Sequence, residues 1–465
     1  MSAIPENHAA FTVAEVLAAT GGALQGGLER EVFRGVGTDT RAPLAGKLFV
    51  ALAGERYDAH DYLDKAAQAG ALAALVERSV EGAPLPTIRV GSTLRALGGL
   101  ARLHRQRYRG KLVAVGGSAG KTTTRSAIGA ALGAYQAAGN LNNLIGVPHV
   151  LLGLERQPCA VIEIGTNAPG EVAELSCMSA PDIAVLTLIG LEHTEGLGDL
   201  DGVEREEGAL LRHVAVAVGN ADDERVARQL EQSPASRKFR YGFGEGADVR
   251  AVRREPAGLG AQSLTVERGG ERAELRIPLL GEAGAYATLA ALAVGEAMGV
   301  DLTRDPPALE RALARAGEPG RLRPIELADG SVVLDDTYNS NPASVYASIA
   351  AARELARSRG SRLVLVLGEM RELGAQSGSE HVRVGEAVGG SRAAALIAVA
   401  GDAQAFVAPA RAGGVDACFA DDAGSAVPLV LERLQAGDVV LVKASRGVRA
   451  ERVVEGLLAA RGSAT

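Results

Sequence analysis

Residues 116–123 combine the residue types and spacing that bind a phosphate group. They follow the apolar run 112–115 and contain the pattern Gly-x-x-Gly-Lys-Thr. Glycines let backbone N–H groups point at an anion, and a helix start adds partial positive charge. We therefore predict a phosphate loop in which Lys121 reaches the terminal phosphates and the Thr122 hydroxyl binds Mg²⁺. The alternative, a glycine turn without a ligand, gives no packing reason for the run Lys-Thr-Thr-Thr. The loop residues are Gly116, Gly117, Ser118, Ala119, Gly120, Lys121, Thr122 and Thr123.

Two further polar side chains follow apolar runs, at positions where open α/β sheets bind ligands. Glu163 follows the run 160–162, where its carboxylate can bind Mg²⁺ beside Thr122. The alternative is a helix-capping or surface acid. His193 follows the run 183–188 and precedes a glycine-rich turn, so it is a candidate metal ligand or an ordinary loop histidine.

Composition restricts the class of protein. The chain has 465 residues, of which 47% are hydrophobic and 23% charged, and this predicts a globular protein of about two to four domains. A net charge of −7 disfavours a nucleic-acid partner. The 3 cysteines lack the spacing of a disulfide framework or a metal knuckle. Neither a signal peptide nor an apolar run long enough to span a bilayer is visible. We expect a soluble, monomeric protein that is located in the cytoplasm and does not insert into a membrane.

The order of apolar segments predicts an α/β protein with three domains. A small α/β domain with a bridging helix occupies 1–110, and parallel strands alternating with helices follow the phosphate loop in 111–319. Within this central domain, alternation between about 247 and 278 predicts an antiparallel hairpin. A Glu-Pro-Gly break precedes a Rossmann-like third domain, 320–465.

Several segments, in order along nearly the whole chain, resemble the Mur ligases. The specific ones are Gly-Asn-x-Asn-Asn-x-Ile-Gly-x-Pro at 139–148 and Asp-Asp-x-Tyr-Asn-x-Asn-Pro at 335–342. The phosphate loop by itself is not specific, because it indicates only nucleotide binding. Shorter matching segments lie at 38–41, 46–54, 58–61, 164–167, 193–196, 320–322, 367–374 and 441–447.

The resemblance implies a ligase of peptidoglycan precursor synthesis that uses ATP and Mg²⁺. Its substrates would be UDP-N-acetylmuramoyl-tripeptide (UDP-MurNAc-tripeptide) and D-alanyl-D-alanine (D-Ala-D-Ala). ATP would convert the tripeptide carboxylate into an acyl phosphate, which the amine of the dipeptide attacks. Lys121 and a magnesium ion on Thr122 and Glu163 would stabilise the transferring phosphoryl group. The first domain would bind the UDP moiety, the central domain the phosphates and the last domain the dipeptide.

The same resemblance implies roles for other residues. His193 would assist a second magnesium ion, Arg321 would contact the terminal phosphate, and Asp336 would lie on the ribose side of the nucleotide. ATP would then lie between domains, and we expect domain closure on binding. Candidate contacts to the sugar nucleotide are Arg41, Asn142 and Asn143, and candidate contacts to the dipeptide are Tyr338 and Asn339. Turn formation or loop packing is the alternative for these polar loop residues.

Other positions depart from the family pattern. Mur ligases typically carry a carbamylated lysine where this chain has Glu207, and we hypothesise that this carboxylate supplies the same charge without carbon dioxide and helps hold the second magnesium ion. The alternative is one more acid on an exposed helix. The usual threonine before Gly117 is Gly116, the usual loop Asn or Ser is Ala119, and a common histidine is Ala168. Both adenine-contacting amides are missing from 281–287.

Two rival functions stay open. One is another ligase of the same superfamily that adds a different amino acid. The other is a catalytically weakened or silent nucleotide-binding homologue, because each lost hydrogen bond to a nucleotide costs about 1 kcal/mol.

Overall fold

A computed structural model describes residues 4–28, 30–54 and 57–464. The region before residue 110 contains β1 (Ala10–Thr12), α1 (Val13–Thr20), β2 (Ala23–Gln25), β3 (Val32–Arg34), β4 (Val36–Gly37), β5 (Leu48–Val50), α2 (Leu63–Gln68), β6 (Ala73–Val76), β7 (Thr87–Arg89) and α3 (Thr93–Arg107).

The central region contains β8 (Lys111–Gly116), α4 (Lys121–Leu132), α5 (Gly146–Leu152), β9 (Cys159–Glu163), α6 (Glu171–Ser179), β10 (Ile183–Leu186), α7 (Thr194–Leu197), α8 (Leu200–Gly208), β11 (Val216–Asn220), α9 (Glu224–Gln232), β12 (Arg237–Gly242), β13 (Val249–Pro256), β14 (Gln262–Arg268), β15 (Glu271–Ile277), α10 (Gly281–Ala297) and α11 (Pro306–Leu313).

The last region contains β16 (Arg323–Glu326), β17 (Val332–Asp336), α12 (Pro342–Arg359), β18 (Leu363–Gly368), α13 (Ser377–Gly390), β19 (Ala395–Val399), α14 (Val407–Ala412), β20 (Asp416–Ala420), α15 (Ala423–Arg433), β21 (Val439–Lys443) and α16 (Glu451–Arg461). In the part of the chain that the structure describes, no helix has the length and apolar character needed to cross a membrane.

The chain forms two compact units. The first comprises the described residues up to 114 together with 134–166 and 170–182, and the second comprises 115–133, 167–169 and the described residues from 183 onward. The first unit contains a five-stranded sheet in the order β2-β7-β6-β5-β4, which is parallel except for β2. Helix α3 of this unit packs against α5 and α6.

The second unit has a mixed sheet that begins parallel and ends antiparallel. Strands β10, β11, β12 and β13 pair in parallel in that order, and β14 and β15 add an antiparallel hairpin. Gly269 and Gly270 form its turn with φ of 58° and 85°, conformations that glycine adopts without strain. The predicted parallel strands and hairpin are therefore confirmed.

A six-stranded sheet in the order β16-β17-β21-β18-β19-β20 follows, parallel except for β16. Successive residues of its strands point to opposite faces, so Leu365 and Leu367 pack in one buried cluster and Val364 and Val366 in another. Helices cover both faces, and this arrangement requires the continuous apolar strands that the sequence shows.

Helix α12 begins at a strong capping sequence. The side chain of Asn341 accepts a hydrogen bond from the backbone of Ser344, Ser344 caps in return, and Pro342 occupies the first helical position. The helix ends where Gly360 adopts φ of 64°. Since α12 follows β17 directly, these caps fix the loop 337–341 at the carboxyl end of that strand.

Candidate active site

The phosphate loop turns sharply after β8. Gly117 has φ of 121°, and a Cβ there would lie 2.9 Å from the carbonyl oxygen of Leu188, so only glycine fits without a shift. Gly120 has φ of 81° and precedes α4, as predicted. The N–H groups of Ala119 and Gly120 donate to no group among the described residues, and they are available to an anion.

The segment after β10 fixes the backbone of this loop. The Thr187 hydroxyl donates to the carbonyl oxygens of Ala119 at 2.6 Å and Gly116 at 3.1 Å. The buried Ser118 hydroxyl accepts a hydrogen bond from the N–H of Gly190 at 3.0 Å. Thr123 lies partly exposed in the first turn of α4. Sequence reasoning missed Thr187, whose only signal was its position at the end of an apolar strand.

Lys121 forms an ion pair with Glu192. The distance from Nζ to Oε1 is 2.9 Å, and both side chains are largely buried. Lys121 also donates to the carbonyl oxygen of Gly117. The second oxygen of Glu192 accepts a hydrogen bond from Asn341 at 3.4 Å. Glu192 therefore positions the predicted phosphate-binding lysine. It was not among the predicted site residues, although it directly precedes His193.

Arg321 reaches the phosphate loop. Its Nη2 donates to the Thr122 hydroxyl at 2.8 Å, and its guanidinium stacks over the Tyr338 ring with 4.2 Å to the centroid. Its Nε is buried without a hydrogen-bond partner among the described residues. Arg321 and Thr122, which the sequence predicts for one phosphate site, are therefore in contact.

The segment before Arg321 is held by α4. Glu318 Oε1 accepts hydrogen bonds from Arg125 Nη2 at 2.5 Å and from Ser126 Oγ at 2.8 Å. The predicted domain border at 319 thus lies inside the second unit, beside a polar contact to the phosphate-loop helix.

His193 is paired with Glu372. The distance from Nδ1 to Oε2 is 2.7 Å, and both residues adopt positive φ, 51° and 66°. Burial opposes the protonated form, but the hydrogen bond to Glu372 and the charge of Glu192 raise the pKa of His193 above its ordinary value of 6.5. The same hydrogen bond lowers the pKa of Glu372. Because a metal ligand must be neutral imidazole, metal binding here competes with protonation.

Glu207 is fully buried, not exposed on a helix surface. Its Oε2 accepts a hydrogen bond from the N–H of Gly117 at 2.7 Å, and its Oε1 has no hydrogen-bond partner among the described residues. Burial raises the pKa of this carboxyl to about 7, although the nearby charge of Lys121 acts in the opposite direction.

Gly116 and Glu207, which both depart from the family pattern, lie next to each other. A Cβ at Gly116 would lie 2.7 Å from Leu210 Cδ2 and 3.2 Å from Glu207 Oε2. A glycine at position 116 therefore leaves the room that the buried carboxylate uses.

Predicted site residues of the first unit have local partners. Asn142 Nδ2 donates to Glu163 Oε1 at 2.9 Å, so these two candidates lie side by side. Asn143 accepts the N–H groups of Ile145 and Gly146, which is the turn-forming role expected as its alternative. Arg41 is exposed and pairs with Asp39 at 2.7 Å.

Asp336 is buried and bound within the second unit. Its Oδ2 accepts hydrogen bonds from Ser348 Oγ at 2.6 Å and from Lys443 Nζ at 2.7 Å, and its Oδ1 accepts the N–H of Leu322 at 3.1 Å. These contacts hold the carboxylate at the carboxyl end of β17, and its place on the ribose side of the nucleotide stays a prediction. Lys443 also donates to the carbonyl oxygen of Asn339, whose side chain is exposed.

Helix α10 begins with residues 281–287, the segment in which the two adenine-contacting amides of the family are missing. Here the Tyr286 hydroxyl donates to Asp222 Oδ2 at 3.0 Å, and its ring packs edge-on against Phe243 with centroids 5.1 Å apart. An aromatic pair and a carboxylate thus occupy the neighbourhood of the missing amides.

Fold and site together define a nucleotide-binding α/β enzyme with a phosphate loop. Profiles described as the Mur ligase middle domain and the Mur ligase glutamate ligase domain match residues 115–295 and 320–446. The chain belongs to the Mur ligase family.

Curated relatives and solved structures agree with this assignment. The UDP-N-acetylmuramoyl-tripeptide–D-alanyl-D-alanine ligase of Escherichia coli (strain K12) is 36% identical over 91% of this chain and 93% of its own. The enzyme of the same name from Bacillus subtilis (strain 168) is 32% identical over 92% and 94%.

Among solved structures, MurF from Acinetobacter baumannii superposes with a TM-score of 0.87 at 29% identity, covering 97% of this chain and 99% of that chain. MurF ligase from Thermotoga maritima in complex with ADP gives a TM-score of 0.79 at 27% identity, covering 91% and 96%.

Proposed function

We propose that this protein is an ATP-dependent ligase that adds D-Ala-D-Ala to UDP-MurNAc-tripeptide in peptidoglycan precursor synthesis. The observation that carries the proposal is the 36% identity to the Escherichia coli ligase of that name across 91% of the chain. The free thiols of all three cysteines suit a reducing cytoplasm, where we place the protein, as a monomer.

The residues around the phosphate loop suit the first half of such a reaction. Transfer of the terminal phosphoryl group of ATP to a carboxylate places negative charge between two anionic substrates. Lys121 and Arg321 bring fixed cations to that position, and the guanidinium offers a planar fork for two phosphate oxygens. The amine of the dipeptide then attacks the acyl phosphate and phosphate leaves.

Magnesium binding is proposed for the hydroxyl of Thr122 and the carboxylate of Glu163, with His193 near a second ion. Oxygen donors of this kind suit Mg²⁺, which usually takes one or two protein carboxylates and completes its shell with substrate phosphates and water. Among the described residues, no group of three or more His, Cys, Asp and Glu side chains is placed to hold a metal ion. Bound Mg²⁺ would neutralise phosphate charge.

Glu207 is proposed to replace the carbamylated lysine of other Mur ligases. Its buried position beside the phosphate loop and its unpaired Oε1 support a functional carboxylate. In this role Glu207 would help hold the second magnesium ion through His193 or water. Phosphate release that does not respond to added bicarbonate is expected, and stimulation by bicarbonate would contradict this role.

Substrate contacts remain proposals at residue level. Arg41, Asn142 and Asn143 are proposed for the sugar nucleotide, and Tyr338 and Asn339 for the dipeptide. The position of Tyr338 under Arg321 supports a place close to the reacting groups.

The decisive experiment measures phosphate release with UDP-MurNAc-tripeptide, ATP and Mg²⁺, with and without D-Ala-D-Ala. We expect release only when the dipeptide is present, and the product should contain a new amide bond. Release with another amino acid instead would identify a different ligase of the family. ATP binding without release under every condition would identify a silent homologue.

A further inference from the structure

His381 is a fully buried histidine in α13 and is not among the site residues described above. Its ring stacks on Phe406 with centroids 5.0 Å apart and an angle of 25° between the two planes. A buried imidazole either packs as a small aromatic ring or also holds neighbouring polar groups. The partners of its two nitrogens distinguish these roles.

Both ring nitrogens of His381 have backbone partners. Nδ1 lies 2.7 Å from the carbonyl oxygen of Ser377, and Nε2 lies 3.0 Å from the backbone nitrogen of Met370. Because a carbonyl oxygen only accepts and a backbone N–H only donates, Nδ1 carries the proton and Nε2 accepts. His381 is therefore a neutral imidazole in one tautomer, and its Nε2 holds the backbone of the loop after β18.

The loop held in this way carries Glu372, and its backbone has two further partners. The N–H of Arg371 donates to Ser445 Oγ at 3.0 Å. The carbonyl oxygen of Leu373 accepts a hydrogen bond from Thr194 Oγ at 2.9 Å. Hydrogen bonds therefore fix the backbone on both sides of Glu372.

Glu372 needs this support for two reasons. It adopts φ of 66°, a conformation that is unfavourable for a residue with a side chain, so neighbouring contacts must maintain it. Its side chain is 58% exposed, and an exposed acid gains little from an ion pair unless its backbone is fixed. The contact of 2.7 Å between Glu372 Oε2 and His193 Nδ1 therefore depends on where the loop holds its backbone.

The pair with Glu372 orients the imidazole of His193. A carboxylate on one ring nitrogen fixes the tautomer and the orientation of a histidine and leaves the other nitrogen for a ligand. In His193 that other nitrogen, Nε2, lies 4.0 Å from Glu192, which is beyond hydrogen-bond distance. Removal of such a carboxylate typically lowers metal affinity or activity by about 10- to 100-fold.

We propose that His381 is a positioning residue for the ligase reaction: through the N–H of Met370 it holds the loop after β18 in the conformation that places Glu372 against His193. The inference rests on the proposed function, in which His193 lies near the second magnesium ion. His381 is fully buried and acts only through other residues. Without its Nε2 acceptor, the backbone at Met370 is released and His193 loses its fixed orientation.

Asparagine and glutamine at position 381 form a matched pair of variants. The amide of glutamine reaches the place of Nε2 and can accept from Met370, whereas asparagine reaches only the place of Nδ1. Nuclear magnetic resonance of the full-length protein, isotopically labelled in its 7 histidines, measures the ring-nitrogen shifts of His193, which report its hydrogen bond to Glu372. His381→Gln should keep the wild-type shifts, and His381→Asn should move them to the values seen in Glu372→Gln. A spectrum of His193→Gln assigns the signals.

Phosphate release then tests whether His381 acts through Glu372. His381→Asn and Glu372→Gln should each lower kcat about 10-fold and leave KM for ATP within about twofold, while His381→Gln should retain most of the wild-type kcat. The double variant should be no slower than either single variant, because both changes remove the same interaction. Two effects that multiply to about 100-fold would show that His381 acts elsewhere and would overturn the proposal.

Phe406→Leu is the control for stability. It removes the stacked ring but not the hydrogen bond to Met370, so it should lower the melting temperature without moving the signals of His193. Equal shifts in His381→Asn and His381→Gln overturn the positioning role, whether or not the protein releases phosphate. Shifts that change in His381→Asn alone, when the wild-type protein releases no phosphate, would keep the positioning of His193 and refute the ligase.

Discussion

Replacement of Glu207 by glutamine should make the stability of the protein less dependent on pH. The carboxyl is fully buried, and burial raises its pKa from the ordinary 4.5 to about 7. Between pH 4.5 and about pH 7, Glu207 keeps its proton in the folded protein but releases it in the unfolded chain. Since stability falls with pH wherever the folded state binds more protons, the wild-type protein loses stability as pH rises from 4.5 through 7 and stays lower above it.

The size of this effect follows from the shift. A difference of about 2.5 pKa units at about 1.4 kcal/mol per unit gives a loss of about 3 kcal/mol. Glutamine retains an acceptor for the N–H of Gly117 and carries no charge. The advantage of Glu207→Gln over the wild-type protein should therefore grow by about 2–3 kcal/mol between pH 5 and pH 8.

Differential scanning calorimetry at several pH values measures this change. A gain of that size should shift the melting temperature of the second unit by several degrees, because about 1 kcal/mol corresponds to about 2–4 °C in domains of 150–250 residues. Glu231→Gln, at an exposed position in α9, is the control and should follow the wild-type profile. Parallel pH profiles for Glu207→Gln and the wild-type protein would refute the reasoning.

Four other outcomes are expected. Gly116→Ala should cost about 1–3 kcal/mol of unfolding free energy, because its methyl group meets buried atoms; an unchanged melting curve would contradict the close contact. Lys121→Ala should lower phosphate release by about 100- to 1,000-fold, and retained turnover would remove the loop from the reaction. Arg321→Lys should reduce kcat at least about 10-fold with normal folding, since lysine loses the planar fork; equal kcat would rule out that role. Glu318→Ala should lower stability by about 1–3 kcal/mol in urea denaturation, whereas no change would show that its two hydrogen bonds contribute little.

The strands and the phosphate loop could be predicted from sequence because their signals are local. The apolar run 395–399 is β19, and Gly117 and Gly120 adopt the positive φ that a loop of this spacing requires. In both cases neighbouring residues determine the conformation, through burial on two sheet faces or through glycine freedom.

The side-chain pairs of the site could not be predicted in the same way. Lys121 and Glu192 are 71 residues apart, and no local pattern identifies the acid that meets a given lysine. The sequence leaves open whether Glu207 is a functional carboxylate or one more acid on an exposed helix, and only the structure shows that α8 turns it inward against the loop. Asp336 was assigned to a ribose by resemblance, and only the three-dimensional contacts reveal Lys443 and Ser348 around it.

Helix α4 joins the recognition of a nucleotide to the last third of the chain. Its first residue is Lys121. About one turn later, Arg125 and Ser126 donate hydrogen bonds to Glu318, which lies three positions before Arg321. Arg321 also donates a hydrogen bond to Thr122 in the first turn of the same helix, so a displacement of the start of α4 would act on the arginine directly as well as through Glu318. Binding of a nucleotide to the phosphate loop would in this way change the position of Arg321, which lies 199 residues after Thr122 in the sequence.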